Sequence, residues 1–328
     1  MPEWIGCCSP STMQRTLPRA PSARNCLHRR TDMHTPAHIL IATDLSSHAG
    51  RAETRGAMLA QALGAKRLTL LHMVPRLPLK ALTDMLDRTP LETEQMLVSG
   101  AKADLAERAR RLGEKYGIEV ATAVKIGRVH LGIVALADEI DAGLVVVGGY
   151  GAHLVRELFL GATAEKVLRT SKRPMLIVKQ EPLSPYKRLL VPVDFSASSS
   201  HALDWALAIA ARAEINVAHV YEAPYETTLR YASVDDKVVE SYRSVAKHQA
   251  HDAMSAFLKD RRPAGTDFQR HILHGHPAAG IRDLAAELRP DLIVMGKHGQ
   301  SEIEELLLGS VTKHVLFESS CDMLVAMA

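Results

Sequence analysis

Cysteine is scarce: three of the four, Cys7, Cys8 and Cys26, fall in the first 26 residues, and Cys321 stands alone. A disulfide framework is therefore excluded, and a reducing, cytoplasmic compartment fits. No stretch approaches the roughly 18 consecutive apolar residues of a membrane span, so no membrane partner is expected. No apolar segment of the kind a secretory signal needs is present near the start. Charge of one sign is not in excess either. Forty basic and 37 acidic residues leave a net charge of +3, too mild to imply nucleic acid as a partner. No nucleophile, base and orienting group are visible as a set, so no catalytic residue is assigned.

What is present suits a globular protein. The 328 residues are 47% apolar and 23% charged, and that length carries a prior of about two domains. Residues 1–36 differ from the rest. Arg15, Arg19, Arg24, Arg29 and Arg30 are set against only Glu3 and Asp32, with recurring Pro and Ser and no apolar periodicity. This stretch reads as a disordered basic tail. Translation starting at Met33, with "MHTPAHILIATDLS" opening the first domain, is the favoured reading.

The chain then repeats itself. "HILIATDLSSHAGRA" matches "RLLVPVDFSASSSHA", and "RLTLLHMV" matches "INVAHVYE". "AGLVVVGGYG" matches "PDLIVMGKHG", and "LGATAEKVLRTSKRPMLIV" matches "LGSVTKHVLFESSCDMLVA". Asp44 and Asp194 are 150 positions apart, and Gly148–Gly296 and Gly161–Gly309 are both 148 apart. A period this long indicates a duplicated domain rather than a solenoid. The expected division is a first domain over 37–180, a linker "EPLSPY" over 181–186, and a second domain over 187–328. Ile133, Leu136, Ala137 and Ile140, and again Ile281, Leu284, Ala285 and Leu288, keep helical spacing. The runs "ILIA", "LTLLHMV", "LVVVG" and "MLIV" are continuous, as buried parallel strands are. The fold expected is α/β: two tandem, doubly wound, five-stranded parallel-sheet domains.

In such sheets ligands bind beyond the carboxyl ends of the strands. "LIVMGKHG" ends a strand, and a helix is expected to begin near Ser310. A helix start offers unpaired N–H groups and a positive dipole end, and glycine lets backbone come close to an anion. Gly296 and Gly299 would form one wall of a phosphate cradle, with Gly309 and Ser310 forming the other. Lys297 and His298 would add positive charge, and Asp194 would accept from ribose hydroxyls.

The pattern G-x2-G-x9-G-[ST] after a fourth strand, with Asp closing the first, resembles the universal stress protein family. The tandem, two-copy kind is the nearest match, over about residues 37–328. The resemblance implies an adenine-nucleotide α-hydrolase-like fold. It also implies an internal pseudo-dimer paired through the last strands, "MLIV" and "MLVA", where antiparallel pairing is one option. Dimerisation of the whole chain stays open. In ATP-binding members the loop holds the phosphates, the first-strand Asp the ribose, and main chain near the second-strand end the adenine. Carried onto the second copy, this implies Pro192, Val193, Asp194, Val220, Met295, Gly296, Gly299, Gly309, Ser310, Val311 and Thr312. The first-copy set is Thr43, Asp44, Met73, Val147, Gly148, Gly151, Gly161, Ala162 and Thr163. There Ala162 stands where Ser or Thr belongs, and Gly149 and Tyr150 stand where the second loop has Lys297 and His298. A lost hydroxyl contact is worth roughly 0.5–1.5 kcal/mol, so the second copy is the better site.

Other features carry less. "GHPAAGIR" has the glycine spacing of a Walker loop, but Ile281 and Arg282 replace its Lys and Ser/Thr, so Gly275 and Pro277 are read as turn-formers. His271, His274 and His276 have no carboxylate or Cys partner at ligand spacing, and no metal site is assigned. Glu302, Glu304 and Glu305 beside the cradle read as a solvated face. The function expected is an ATP-binding stress-response protein in which nucleotide, with or without Mg2+, is a switch ligand. One alternative is a slow ATPase or nucleotidyl transferase. Against it, "TDLSSHA" and "VDFSASS" stand where related enzymes carry HxGH or SGGxDS. Another is a scaffold or holdase acting through the segment of Tyr221, Tyr225, Tyr231 and Tyr242.

Overall fold

The apolar runs become strands. The first half contains β1 (His38–Thr43), β2 (Arg67–Pro75), β3 (Val120–Gly127), β4 (Leu144–Gly148) and β5 (Met175–Val178). The second contains β6 (Arg188–Pro192), β7 (Glu214–Tyr221), β8 (Phe268–His274), β9 (Leu292–Gly296) and β10 (Asp322–Ala326). The structure, a computed structural model, describes residues 35–75, 89–149, 160–209, 213–223, 235–259, 261, 268–299 and 308–327. Except for residues 35 and 36, the basic stretch lies outside the described residues, as does the start at Met33. Helices α1 (Ala49–Leu63), α2 (Pro90–Tyr116), α3 (Val129–Glu139) and α4 (Ala162–Thr170) belong to the first half. Helices α5 (Ala197–Ile209), α6 (Asp236–Leu258), α7 (Pro277–Leu288) and α8 (Ser310–Glu318) belong to the second. No helix among the described residues is long and apolar enough to cross a membrane.

All ten strands share one sheet, in the order β3-β2-β1-β4-β5-β10-β9-β6-β7-β8. Neighbours run parallel except at the centre, where β5 and β10 pair antiparallel with Leu176 opposite Leu324. The two halves thus meet through their last strands. Side chains of successive strand residues point to opposite faces. Leu176, Val178, Leu324 and Ala326 join the core under α1, α2, α5 and α6, while Met175, Ile177, Met323 and Val325 join the core under α3, α4, α7 and α8. Burial on both faces explains why these strands read as unbroken apolar runs.

A buried polar cluster ties the halves together. Asp322 at the start of β10 is fully buried. Its Oδ1 accepts from the N–H of Lys179 (2.8 Å) and of Gln180 (2.9 Å). Its Oδ2 accepts from the Tyr186 hydroxyl at 2.7 Å and lies 3.4 Å from Arg55 Nε. The Arg55 guanidinium lies over the Tyr186 ring, 4.0 Å from its centroid, and donates to Ser184 O at 2.8 Å. The linker is thereby held against α1. At the positions related by the repeat, Asp322 corresponds to Pro174 and Arg55 to Trp205, so the cluster occurs on one side of the seam only.

Lys179 is also buried, and its Nζ donates to Leu316 O (2.5 Å) and Ser319 O (2.6 Å) at the end of α8. Burial pulls its pKa down to about 8, below the ordinary 10.5. A depressed folded-state value means that the linked stability is complete above 10.5 and is lost as pH falls through about 8. Cys321 acts in the opposite sense. Burial pushes its thiol up to about 11 from 9.0, so its share is complete below 9.0 and is lost as pH rises through about 11. Unfolding free energy should therefore rise from pH 8 to 9 by at most about 1.4 kcal/mol, then level off. Urea titrations across this range check it. In Lys179→Met the rise should vanish, leaving the decline due to Cys321.

Candidate functional site

Where β6 ends, the chain turns sharply. The N–H of Ser196 donates to Asp194 Oδ1 at 3.1 Å, and Phe195 between them has φ 66°. A bulky residue in the left-handed region is uncommon and marks a turn held by its surroundings. Here the holding contacts are aromatic: the Phe195 ring packs against His219 at 4.3 Å between centroids and against Phe257 at 5.5 Å. His219 Nδ1 lies 2.8 Å from Val193 O, which fixes the end of β7 beside the end of β6.

The loop after β9 lies directly against this turn. A Cβ on Gly296 would come within 2.9 Å of the Ser198 carbonyl carbon, and one on Gly299 within 2.8 Å of Asp194 Oδ2. Both glycines are therefore needed for close approach. Gly309 N–H donates to Lys297 O at 2.9 Å, and the Thr312 hydroxyl donates to Gly296 O at 2.9 Å. These two bonds join the loop to the start of α8. The N-cap of α8 is Gly309, which has no side-chain oxygen to offer the first-turn N–H groups.

These elements enclose a cleft of about 750 Å³. It is lined by Pro192, Val193, Asp194, Val220, Met295, Gly296, Gly299, Gly309, Ser310, Val311 and Thr312, the whole second-copy set. It opens beside β6 and β9, where the strand order reverses, the usual ligand position in a doubly wound sheet. Volume and position suit a small-molecule ligand. Ser199, Ala218, His219, Tyr221, Glu222, Pro277 and Ile281 also line it, and no motif marks them for this role. Two regularities could have found some of them. Ala218 and Val220 share a face of β7, and Pro277 and Ile281 are four apart on α7.

Lys297 is a correction. It stands in the loop but does not line the cleft, and it is buried. Its Nζ donates to Arg169 O (3.2 Å) and Ser171 O (3.3 Å) at the end of α4 in the first half. The carbonyls at a helix C-terminus attract a cation, and this long side chain reaches them. Lys179 serves α8 in the same way, passing Gly149, where a Cβ would come within 2.8 Å of Lys179 Cγ. His298 does line the cleft.

Among the described residues, no three His, Cys, Asp or Glu side chains group as a metal site. His271 Nε2 pairs with Asn216 Oδ1 at 2.8 Å, and the His274 ring packs against Tyr221. Gly275 takes φ 131° and Pro277 opens α7, so "GHPAAGIR" is a turn and a helix start. Gly151, Tyr150, Tyr225, Tyr231, Glu302, Glu304 and Glu305 lie outside the described residues.

The first copy keeps the same backbone frame. Gly161 N–H donates to Gly149 O at 2.8 Å, Ser46 N–H to Asp44 Oδ1 at 3.0 Å, and His72 Nδ1 lies 2.9 Å from Thr43 O. Leu45 has φ 62°, as Phe195 has 66°. Gly148 ends β4, and Ala162 and Thr163 are exposed at the start of α4. Asp44 is exposed and Val147 buried. The Thr43 hydroxyl is buried and donates to Glu53 Oε1 at 2.5 Å; Glu53 in turn pairs with Arg108 at 3.0 Å. Met73 lies across α3, where a Cβ on Gly132 would collide with the Met73 Cε.

Comparison with known proteins gives a consistent result. The family described as the universal stress protein family matches twice, over residues 36–179 and 185–326. Two universal stress proteins of Methanocaldococcus jannaschii are each 29% identical to this chain. One aligns over 140 residues, 43% of this chain and 81% of the relative. The other aligns over 153 residues, 43% and 94% respectively. A solved universal stress protein of Archaeoglobus fulgidus superposes with a TM-score of 0.64 at 21% identity, over 89% of this chain and 98% of its own. A functionally unknown protein of Pseudomonas aeruginosa gives 0.61 at 20%, over 90% and 94%. Both structural likenesses concern the fold alone.

Proposed function

Because the chain belongs to the universal stress protein family, over residues 36–179 and 185–326, we propose that its second half binds an adenine nucleotide, ATP, as a switch ligand. One observation carries this reading: the eleven residues picked out by the glycine pattern and its resemblance all line one cleft. In this reading the triphosphate rests against the first-turn N–H groups of α8 and the backbone of Gly296–Gly299. Thr312 contributes main chain only, since its hydroxyl is bonded to Gly296 O. The ribose hydroxyls donate to Asp194, and the adenine enters the apolar end between Val220, Pro277 and Ile281. Mg2+ arrives with the phosphates. Bound nucleotide covers Gly296–Gly299 and the start of α8, and so changes the surface presented there.

Protein purified without added nucleotide is denatured, and the supernatant is run on an anion-exchange column. The expected result is bound ATP, or else calorimetric heat on adding MgATP to empty protein that AMP and GTP do not match. No released nucleotide together with no heat overturns the reading. Limited proteolysis checks the switch: ATP should change the digestion pattern of the second half, and unchanged digestion counts against it.

A further inference from the structure

We propose that a second pocket, at the ends of α7 and α8 away from the cleft, binds a small carboxylate with a compact apolar body through Arg289 and Arg282. This does not depend on the nucleotide reading. A difference between the two halves singles the pocket out. The offset that relates Gly148 to Gly296 sets Asp138, Asp141, Ala142 and Arg173 against Ala286, Arg289, Pro290 and Cys321. The backbone frame agrees. Val145 pairs with Met175 in the first half as Ile293 pairs with Met323 in the second. Asp141 and Arg289 both take the left-handed conformation, with φ 50° and 48°. The N–H of Arg173 donates to Ser171 Oγ at 3.0 Å, and that of Cys321 to Ser319 Oγ at 3.3 Å.

The side chains on that frame differ. In the first half Arg173 reaches from the turn after α4 to the end of α3. It donates to Asp138 Oδ1 at 3.1 Å, Asp141 Oδ1 at 2.6 Å and Ala142 O at 3.4 Å. In the second half nothing makes this crossing. Cys321 is too short, Ala286 offers no acceptor, and Arg289 carries the charge opposite to that of Asp141. Between them lies a pocket of about 460 Å³, lined by Ala286, Arg289, Pro290 and Cys321 among others. That volume lies within the range of small-molecule sites. The pocket shares no lining residue with the cleft.

The lining selects the charge of the occupant. Arg289 is exposed, and its guanidinium has no bonding partner among the described residues. The acidic residues of the lining are already engaged. Asp291 Oδ2 accepts from the N–H of Lys187 at 2.7 Å and of Arg188 at 3.0 Å, and Glu318 pairs with Arg282 at 3.5 Å. The pairs of Arg282 with Asp283 and Glu318 are exposed and hold its guanidinium only weakly. A carboxylate entering here mirrors the first half with the charges exchanged. Guanidinium groups suit it because they can donate two parallel bonds to its oxygens. Ala285, Ala286, Pro290 and Val315 supply an apolar wall for the rest of the molecule.

Fluorine NMR titration of the full chain with para-fluorobenzoate tests this, with para-fluorobenzamidine as the same ring bearing the opposite charge. The benzoate should show saturable broadening, and the benzamidine none. Saturating MgATP should not displace the benzoate. Arg289→Asp restores the charge of Asp141 and suits a left-handed turn. It should weaken benzoate binding at least roughly 10-fold, the loss of a charge-assisted bond. The variant Ala286→Asp/Arg289→Asp/Cys321→Arg rebuilds the crossing of the first half. It should lose benzoate binding and melt no lower than wild type. A thermal melt reports the folding of each variant, and the comparison with benzamidine needs no variant. No saturable broadening by the benzoate, or an equal response to the benzamidine, overturns the inference. So does displacement by MgATP, which would put the benzoate in the cleft, or wild-type affinity in folded Arg289→Asp.

Discussion

Asp322→Ala is expected to lower the unfolding free energy by about 3–5 kcal/mol, the range for breaking a buried ion pair from one side. The carboxylate is fully buried; three donors converge on it, two backbone N–H groups and a tyrosine hydroxyl, and the Arg55 guanidinium lies 3.4 Å away as its counter-ion. Burial raises the pKa of Asp322, and those donors act against the rise. Alanine leaves Arg55 buried without its counter-ion and three further donors without an acceptor. The effect should concentrate on the seam, because Arg55 and Tyr186 tie α1 and the linker to β10. Urea unfolding of the single variant measures the loss. Tyr186→Phe, which removes only one donor, should lose about 1–2 kcal/mol. A loss below about 1 kcal/mol for Asp322→Ala would show that water replaces the carboxylate at low cost.

Gly299→Val is expected to abolish measurable nucleotide binding, a loss of at least 100-fold or about 2.7 kcal/mol, while leaving the fold intact. The added Cβ lands 2.8 Å from Asp194 Oδ2, the far end of a side chain that can swing away. The valine then displaces the ribose acceptor and occupies the cleft where loop and helix start meet. Gly296→Val provides the contrast. Its Cβ would strike the Ser198 backbone, which cannot move without shifting α5, so this variant should lose stability as well as binding. Calorimetry with MgATP and a thermal melt on both variants separate the two outcomes. Gly299→Val binding ATP as wild type does would remove the loop from the site.

Much of the architecture was legible because it follows from local and repeated signals. Continuous apolar runs specify strands buried on both faces, and helical spacing at Ile133 and Ile281 specifies what lies between them. The offsets of 148 and 150 residues specify duplication. Glycine spacing marks where backbone must come close, and the glycines of the second loop do approach Ser198 and Asp194.

What remained hidden depends on residues far apart in sequence. Lys297 looked like a phosphate ligand because it lies between two glycines of the loop. Only the pairing of β10 with β5 across the seam shows that helix α4 ends within reach of its ammonium. Asp322 resembles an ordinary residue before a strand until Arg55 and Tyr186 are brought to it across the seam. Ala218 has meaning for the site only when strand register and the packing of α7 set it with Val220 and Ile281 in the wall of the cleft. Thus the sequence alone determined the repeated α/β units and where their backbones must bend closely, since these depend on residue type and short spacing. The tertiary structure decided which charges are spent on the seam and which side chains line the second cleft, since these depend on contacts that the chain makes only once folded.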